Sequence, residues 1–411
     1  MPLNARRRRA ARLRRSAGIA IAAILAVYLP LTLLAPIPTL AATAVGHTDP
    51  RPAAAALAWP AYGESAVGAV GYPGVLATSG SRDARPIASI SKIITSLVVL
   101  EAKPLANDEA GPTIRFTSAD AALVGTYQRM NGETAPMTAG ASMSERELMS
   151  VALVVSANNY AAVLADWAYG SRAAFVAAAT AWLAAHGLAH TTMLEPTGLN
   201  PGNRSTADDL VALGKLALAN PVIAGIVSTP SLTVPGIGTI ANSNKLLGHD
   251  GVDGIKTGTL TGSGACLLFA AEYSIGGKKI TVVGAVLGGV DHAALDVDVR
   301  SLLRSVKAGF HDVALTSRGE AFATYSTPWK QEARAVATTA ASIVVWGDPA
   351  IASAVAAKSI RLSAKGAPVG EVTFTVDDQK ISVPLALDHG IQDPGAWWRL
   401  TNPMTLPSRS G

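Results

Sequence analysis

The chain has 411 residues, 49% of them hydrophobic and only 15% charged, which suits a well-cored protein of more than one domain and excludes a disordered chain. Its formal charge of +5 has a single source: the first 46 residues hold seven arginines and no acid, and without them 27 basic residues face 29 acidic ones. The body is therefore near neutral, with no broad basic face, and nucleic acid is excluded as a partner.

The N-terminus places an arginine cluster, Arg6 to Arg15, before an uncharged apolar run from Ala17 to Ala35. As a helix, that run spans roughly the 30 Å hydrocarbon core of a bilayer. The arginines stay in the cytoplasm, so the rest of the chain is expected outside the cell, held at the membrane by a single N-terminal anchor. A cleaved signal peptide is the rival reading, with Ala42-Thr43-Ala44 as a small-x-small cleavage site and a secreted product. The expected divisions are 1–46 for the tail and anchor or signal segment, 47–312 for a first domain and 313–411 for a linker and second domain.

In the first domain, "AVGAVGYPGVLATSG" reads as short strands with glycine turns. "PIASISKIITSLVVLE", Pro86 to Glu101, reads as a helix with Ile90, Ile93, Ile94, Leu97 and Val98 on one face. Residues 144–168 read as helix, broken around Ser156–Asn159 and opened by a capping box of Ser144 and Glu147. Helices follow over 171–188 and 205–218. From about Leu232 the pattern turns to strands, "SLTVPGIGTIAN", "ACLLFAAEYS" and "KKITVVGAVLGG", before a helix from Ala294 to about Lys307. This predicts an α+β domain, a helix cluster packed on an antiparallel sheet. Beyond Phe310, alternating strands are expected at 341–347, 359–365, 371–376 and 380–387, with a turn at Asp377-Asp378-Gln379, making a small all-β domain. The tail "NPMTLPSRSG" is polar and shows no amphipathic anchor helix.

Cys266 is the sole cysteine, so neither an intrachain disulfide nor a cysteine metal cluster can form, and the seven histidines lack H-E-x-x-H spacing. No phosphate-binding G-x-x-x-x-G-K-[ST] loop occurs, and neither a metal nor a cofactor is expected. The chemistry lies elsewhere. Ser89 and Lys92 stand three apart and share a helical face. A serine hydroxyl needs a base, and a lysine serves only when desolvation or a second cation destabilises its ammonium form. Ser156-Ala157-Asn158 places polar groups between two apolar helical segments, where they act as a cap or a site. Lys256-Thr257-Gly258 stands between turn glycines and the strand "ACLLFAA", either as a plain strand edge or as a place where a substrate backbone approaches Gly258.

The order S-x-x-K, S-x-N, K-T-G, with 67 residues from Ser89 to Ser156 and 100 from Ser156 to Lys256, is the signature of penicillin-interacting serine enzymes. "IASISKIITSLVVLE", "TGLN" before "STADDL", "NSNKLL" at 242–247 and "VDGIKTGTLTGSGAC" make residues 55–310 resemble the low-molecular-weight D-alanyl-D-alanine carboxypeptidases of peptidase family S11. Cys266 stands where that family often has a cysteine, and Ile87 replaces its usual proline. The resemblance implies a β-lactamase/transpeptidase-like fold followed by a small all-β domain. It implies that Ser89 attacks the bond between two D-alanines in peptidoglycan stem peptides and forms an acyl-enzyme, and that β-lactams acylate the same serine. Lys92 then takes the serine proton, Ser156 relays a proton to the leaving amine, and Asn158 orients Lys92 and holds the substrate amide. Lys256 and Thr257 bind the terminal carboxylate beside Gly258, and the N–H groups of Ser89 and Thr259 form the oxyanion hole.

Two departures stand out. Glu195-Pro196-Thr197-Gly198-Leu199-Asn200 replaces the family's N-P-x-G-L and resembles, with one residue too many, the E-x-x-L-N element of class A β-lactamases. Glu195 is read as a loop carboxylate before a catalytic base. The alternatives kept open are a β-lactamase or related serine esterase on the same scaffold, marked by fast penicillin turnover, and a catalytically silent wall-binding protein, marked by no acylation at all.

Overall fold

The computed structural model describes residues 3–405, so the last six residues of the predicted polar tail lie outside the described residues. The chain divides into two compact units, one of Ala53–His311 and one joining the N-terminal residues to Pro52 with those from Asp312 onward.

The Ala53–His311 unit is built on a five-stranded antiparallel sheet in the order Val252–Leu260, Gly264–Ile275, Lys278–Gly289, Glu64–Ala69, Ala77–Gly80. Its central strands are buried along both faces, as "ACLLFAA" and "ITVVGAVL" require of strands covered by helices on either side. The helix His292–Ala308 packs on one region of this sheet and Ala207–Ala219 on another. The remaining helices, Ser91–Ala102, Ser118–Arg129, Glu145–Val154, Asn158–Tyr169, Arg172–Ala185 and Pro221–Val227, form the cluster. The α+β expectation for this region is met, and the capping box of Ser144 and Glu147 forms with both reciprocal bonds.

The helix Ser91–Ala102 differs from its amphipathic reading. Ile90, Ile93, Ile94 and Val98 are buried, and so are Ser91, Lys92, Thr95 and Ser96 on the other side. A helix sunk in the core on all sides must find partners for its polar groups. Thr95 Oγ1 donates to the Pro196 carbonyl at 2.8 Å, and Asn203 Nδ2 donates to Ser91 Oγ at 3.0 Å, while Ser96 Oγ is left without a partner among the described residues. Both partners come from the 195–203 loop, which is thereby fastened along the polar side of this helix.

The second unit has a six-stranded antiparallel sheet ordered Thr43–Ala44, Ala321–Ser326, Glu332–Ala337, Gln379–Leu387, Pro368–Val376, Ile351–Ala357. Phe322, Phe374, Val372 and Leu385 lie in its core. The strand expected over 359–365 falls instead at Ile351–Ala357, where seven residues pair with Pro368–Val376. Ile360 and Ser363 make only isolated bridges, to Leu40 and Ile391. The alternation of "SIRLSAK" is thus that of a loop touching two neighbours, not of a ladder.

The N-terminal helix runs Leu3–Leu33, and most of its apolar side chains are exposed. It is long and apolar enough to cross a bilayer. Residues after it are woven into the second unit: Leu40 is 6% exposed, and Thr43 and Ala44 pair with Thr324 and Ala323. Tyr28 Oη donates to the Leu400 carbonyl at 2.6 Å, and Arg399 Nη1 donates to the Ala35 carbonyl at 2.7 Å.

Candidate active site

Ser89 lies in the 3₁₀ turn Ala88–Ile90 that leads into Ser91–Ala102. Ala88 adopts a left-handed conformation, φ 47°, a strained geometry for an L-residue that a surrounding structure must hold. Two glycines provide that hold. The strand carrying Gly258 passes so near that a Cβ there would lie 3.0 Å from the Ile87 carbonyl oxygen and 3.2 Å from the Ser89 nitrogen. Gly198 closes the other side.

Lys92 sits one turn along, with no exposed surface. Its Nζ lies 2.8 Å from Ser89 Oγ, 2.6 Å from Asn158 Oδ1 and 2.7 Å from the Thr197 carbonyl. The last two groups can only accept. A neutral amine has two protons and one lone pair, so donating to both leaves the lone pair facing the Ser89 hydroxyl. Burial pushes the Lys92 ammonium well below the usual lysine range, the Lys256 charge pushes it further down, and Glu195 and Glu133 pull the other way.

Asn158 opens the helix Asn158–Tyr169, and the break before it holds Ser156 at φ 62°. The Asn158 N–H donates to the Glu133 carbonyl at 2.8 Å, which fixes the break. The predicted interruption of the 144–168 helix falls at residues 155–157 and directs Ser156 into the same cavity as Ser89.

Lys256, Thr257, Gly258 and Thr259 lie within the Val252–Leu260 edge strand, not in the turn beside it. Lys256 Nζ is buried and donates to the Thr257 carbonyl at 3.1 Å and, at 3.4 Å each, to Thr257 Oγ1 and Ser243 Oγ. Burial lowers its pKa to about 7, with Glu133 opposing. The Thr257 and Ser243 hydroxyls lie 2.6 Å apart at the cavity wall. The cavity, of about 630 Å³, is lined by Ser89, Ser156, Asn158, Thr257, Gly258 and Thr259 together with Glu133, Ser243, Lys245 and His292. All eight residues singled out in the sequence therefore meet around one cavity, the two lysines beneath its wall.

Glu195 frames a loop. Its carboxylate accepts from the N–H groups of Thr197 at 2.7 Å and Gly198 at 2.6 Å. The turn so formed aims the Thr197 carbonyl at Lys92. Cys266 is fully buried in the sheet, and burial pushes its thiol up to about 11, so it packs as an inert small residue.

The sequence profile of peptidase S11, D-alanyl-D-alanine carboxypeptidase, matches residues 72–289. The chain belongs to the peptidase S11 family. Similar proteins include the D-alanyl-D-alanine endopeptidase of Pseudomonas aeruginosa, 32% identical over 54% of this chain and 70% of that one. The D-alanyl-D-alanine carboxypeptidase DacB2 of Mycobacterium tuberculosis is 33% identical over 51% of this chain and 69% of that one. The Streptomyces K15 DD-transpeptidase structure superposes with a TM-score of 0.53 at 26% identity, covering 64% of this chain and all of that one. Penicillin-binding protein 5 of Haemophilus influenzae shares the fold, with a TM-score of 0.57 at 21% identity over 85% of this chain and all of that one.

Four groups around the S11 site were not picked out as functional from sequence: Thr197, Ser243, Glu133 and His292. Thr197 and Ser243 lie in "PTGLN" and "NSNKLL", both noted for resemblance alone. Glu133 and His292 carry no motif, and only the fold brings them to the cavity.

Proposed function

We propose that this serine D-alanyl-D-alanine carboxypeptidase uses Ser89 as nucleophile and neutral Lys92 as base. The observation that carries this is the hydrogen-bond count at Lys92: two neighbours that only accept leave its lone pair for the Ser89 proton. Ser89 Oγ attacks the carbonyl between two D-alanines of a peptidoglycan stem peptide while its proton passes to Lys92 Nζ. The oxyanion forms against the N–H groups of Ser89 and Thr259, a kind of donor whose loss typically costs about 10²–10³ in rate. Ser156 relays a proton to the leaving amine, D-alanine departs, and water resolves the acyl-enzyme. Asn158 orients Lys92, and Lys256, with Thr257 beside Gly258, seats the terminal carboxylate. An arriving carboxylate favours the charged form of Lys256, which strengthens the seat only when substrate is present. β-Lactams acylate Ser89 by the same route.

We further propose that the Leu3–Leu33 helix is retained as a single-pass anchor with the catalytic unit outside the cell. Cleavage after Ala44 would remove a strand and the buried Leu40 from the second unit, which supports retention over release.

Intact-mass spectrometry of the full chain in detergent tests the reading, with penicillin and then with a peptide ending in D-Ala-D-Ala, beside Ser89→Ala. A persistent adduct on Ser89 with D-alanine release that the variant loses is expected. Rapid penicillin hydrolysis without D-alanine release would turn the assignment to a β-lactamase.

A further inference from the structure

His292 opens the helix His292–Ala308, and its ring lines the cavity that holds Ser89. Its Nε2 lies 2.7 Å from Oγ1 of Thr259, the residue that follows K-T-G. The carboxylate seat proposed above lacks an accessible cation. Lys256 is 1% exposed and directs its Nζ at Thr257 and Ser243, so what the seat offers the cavity is hydroxyls. Lys245 lines the cavity too, with Nζ 3.4 Å from the Asn242 carbonyl. Of the cationic candidates, His292 is the one bonded to the K-T-G strand from the cavity side.

We propose that His292 is a substrate-binding residue that makes recognition of the terminal carboxylate titratable. Neutral, the ring holds the Thr259 hydroxyl. Protonated, it becomes a donor and a positive charge beside Thr257 and Thr259, and a carboxylate placed there gains a charge-assisted hydrogen bond. No covalent bond changes; binding takes one proton from solvent onto the imidazole. The inference rests on the serine carboxypeptidase reading above, and on the seat it assigns to Lys256 and Thr257.

The charges facing the ring come from two elements. Asp291 and Asp296 belong to its own helix end, and Lys256 to the strand opposite. Burial holds the His292 pKa below its ordinary value, Asp296 and Asp291 work against that, and Lys256 adds to it. The free site is therefore mostly neutral at pH 7, and acid charges it. A peptide carboxylate stays ionised well below that range, so its affinity should follow the state of the histidine.

The experiment uses the full chain in detergent between about pH 5 and pH 7.5. KM is measured for a peptide ending in D-Ala-D-Ala, and the C-terminal amide of that peptide is measured as a competitive ligand. KM should fall roughly tenfold toward acid while the inhibition constant of the amide stays level. His292→Gln should lose most of that fall and keep only the part due to Lys256, whose pKa of about 7 lies in the same range, and His292→Arg should hold KM low with only that residual slope. A merely structural histidine would move both ligands alike. Persistence of the whole acid-side fall in His292→Gln, or an equal fall for the amide, would overturn the proposal. A penicillin adduct on Ser89 is read in each sample. Its absence from the parent protein would defeat the serine reading itself, whereas an intact adduct with a flat parental KM would defeat only the role of His292.

Discussion

Gly198 faces the carbonyl of Ala88 so closely that a Cβ on it would lie 1.9 Å from that oxygen and 2.8 Å from the Ser89 nitrogen. Gly198 is at φ +90°, where any side chain is strained, and Ala88 is itself left-handed. The nucleophile's turn is thus shaped from outside by a loop that Glu195 holds together. Gly198→Ala should displace Ser89 and reduce the rate of penicillin acylation at least about 100-fold, with a stability loss of about 2–4 kcal/mol. Gly225→Ala is the control, because nothing lies within 4 Å of a Cβ there. Stopped-flow acylation and thermal melts of both variants check this, and a Gly198→Ala protein that acylates normally would sink it.

The two buried lysines predict the acid side of the pH profile. Lys92 must be neutral to accept the serine proton, so kcat/KM should fall as pH drops through its folded pKa. The Lys256 charge is one of the forces holding that pKa down. Lys256→Gln should therefore move the acid limb to higher pH, apart from any rise in KM. Lys92→Arg should not restore activity, because a guanidinium does not lose its proton in this range. An acid limb left in place by Lys256→Gln would show that burial alone tunes Lys92.

How far this site could be read in advance depended on what each residue asks of its neighbours in sequence. Ser89 and Lys92 are joined by helical periodicity, and Ser156-Ala157-Asn158 by a polar break in an apolar helix, so both were legible. Thr197 acts through its backbone carbonyl, which any residue supplies, so its type carried no signal. His292 reaches Thr259 from 33 residues away across two strands and their turns, a contact only the closed sheet creates. In the second unit the strands 371–376 and 380–387 followed their alternation, but Ile351–Ala357, "IASAVAA", is too alanine-rich to alternate and was displaced onto "SIRLSAK". Thr43 and Ala44 read in sequence only as part of a small-x-small cleavage site, because nothing local marks a strand of two residues.

Glu145 gives a stability prediction. It is buried, and neither carboxylate oxygen has a hydrogen-bond partner. Burial pushes its pKa up to about 7, with Lys103 opposing. The folded state then holds a proton that the unfolded state has released, so stability falls as pH rises from the ordinary carboxyl range through about 7. Glu145→Gln should remove this dependence, with the parent losing up to about 3 kcal/mol relative to the variant once the acid is ionised. Urea melts at acid and alkaline pH read it directly, and parallel curves for both proteins would refute it.

The N-terminal segment gives the last. Leu40 is 6% exposed and bridges Ile360, two residues beyond the Lys358 carbonyl that accepts from Tyr325 Oη at 2.7 Å. It belongs to the same apolar cluster as Phe322 and Phe374. Truncating such a leucine leaves a cavity and typically costs about 2–5 kcal/mol. Leu31 lies nine residues earlier in the apolar helix and is 65% exposed. Leu40→Ala should lower the melting transition of the full chain in detergent while leaving membrane partition unchanged. Leu31→Asp should do the reverse, since it places a charge on the lipid-facing surface of the proposed anchor. If Leu40→Ala melts like the parent, the segment after the helix is only a tether, and release by cleavage at Ala42-Thr43-Ala44 becomes compatible with a stable second unit.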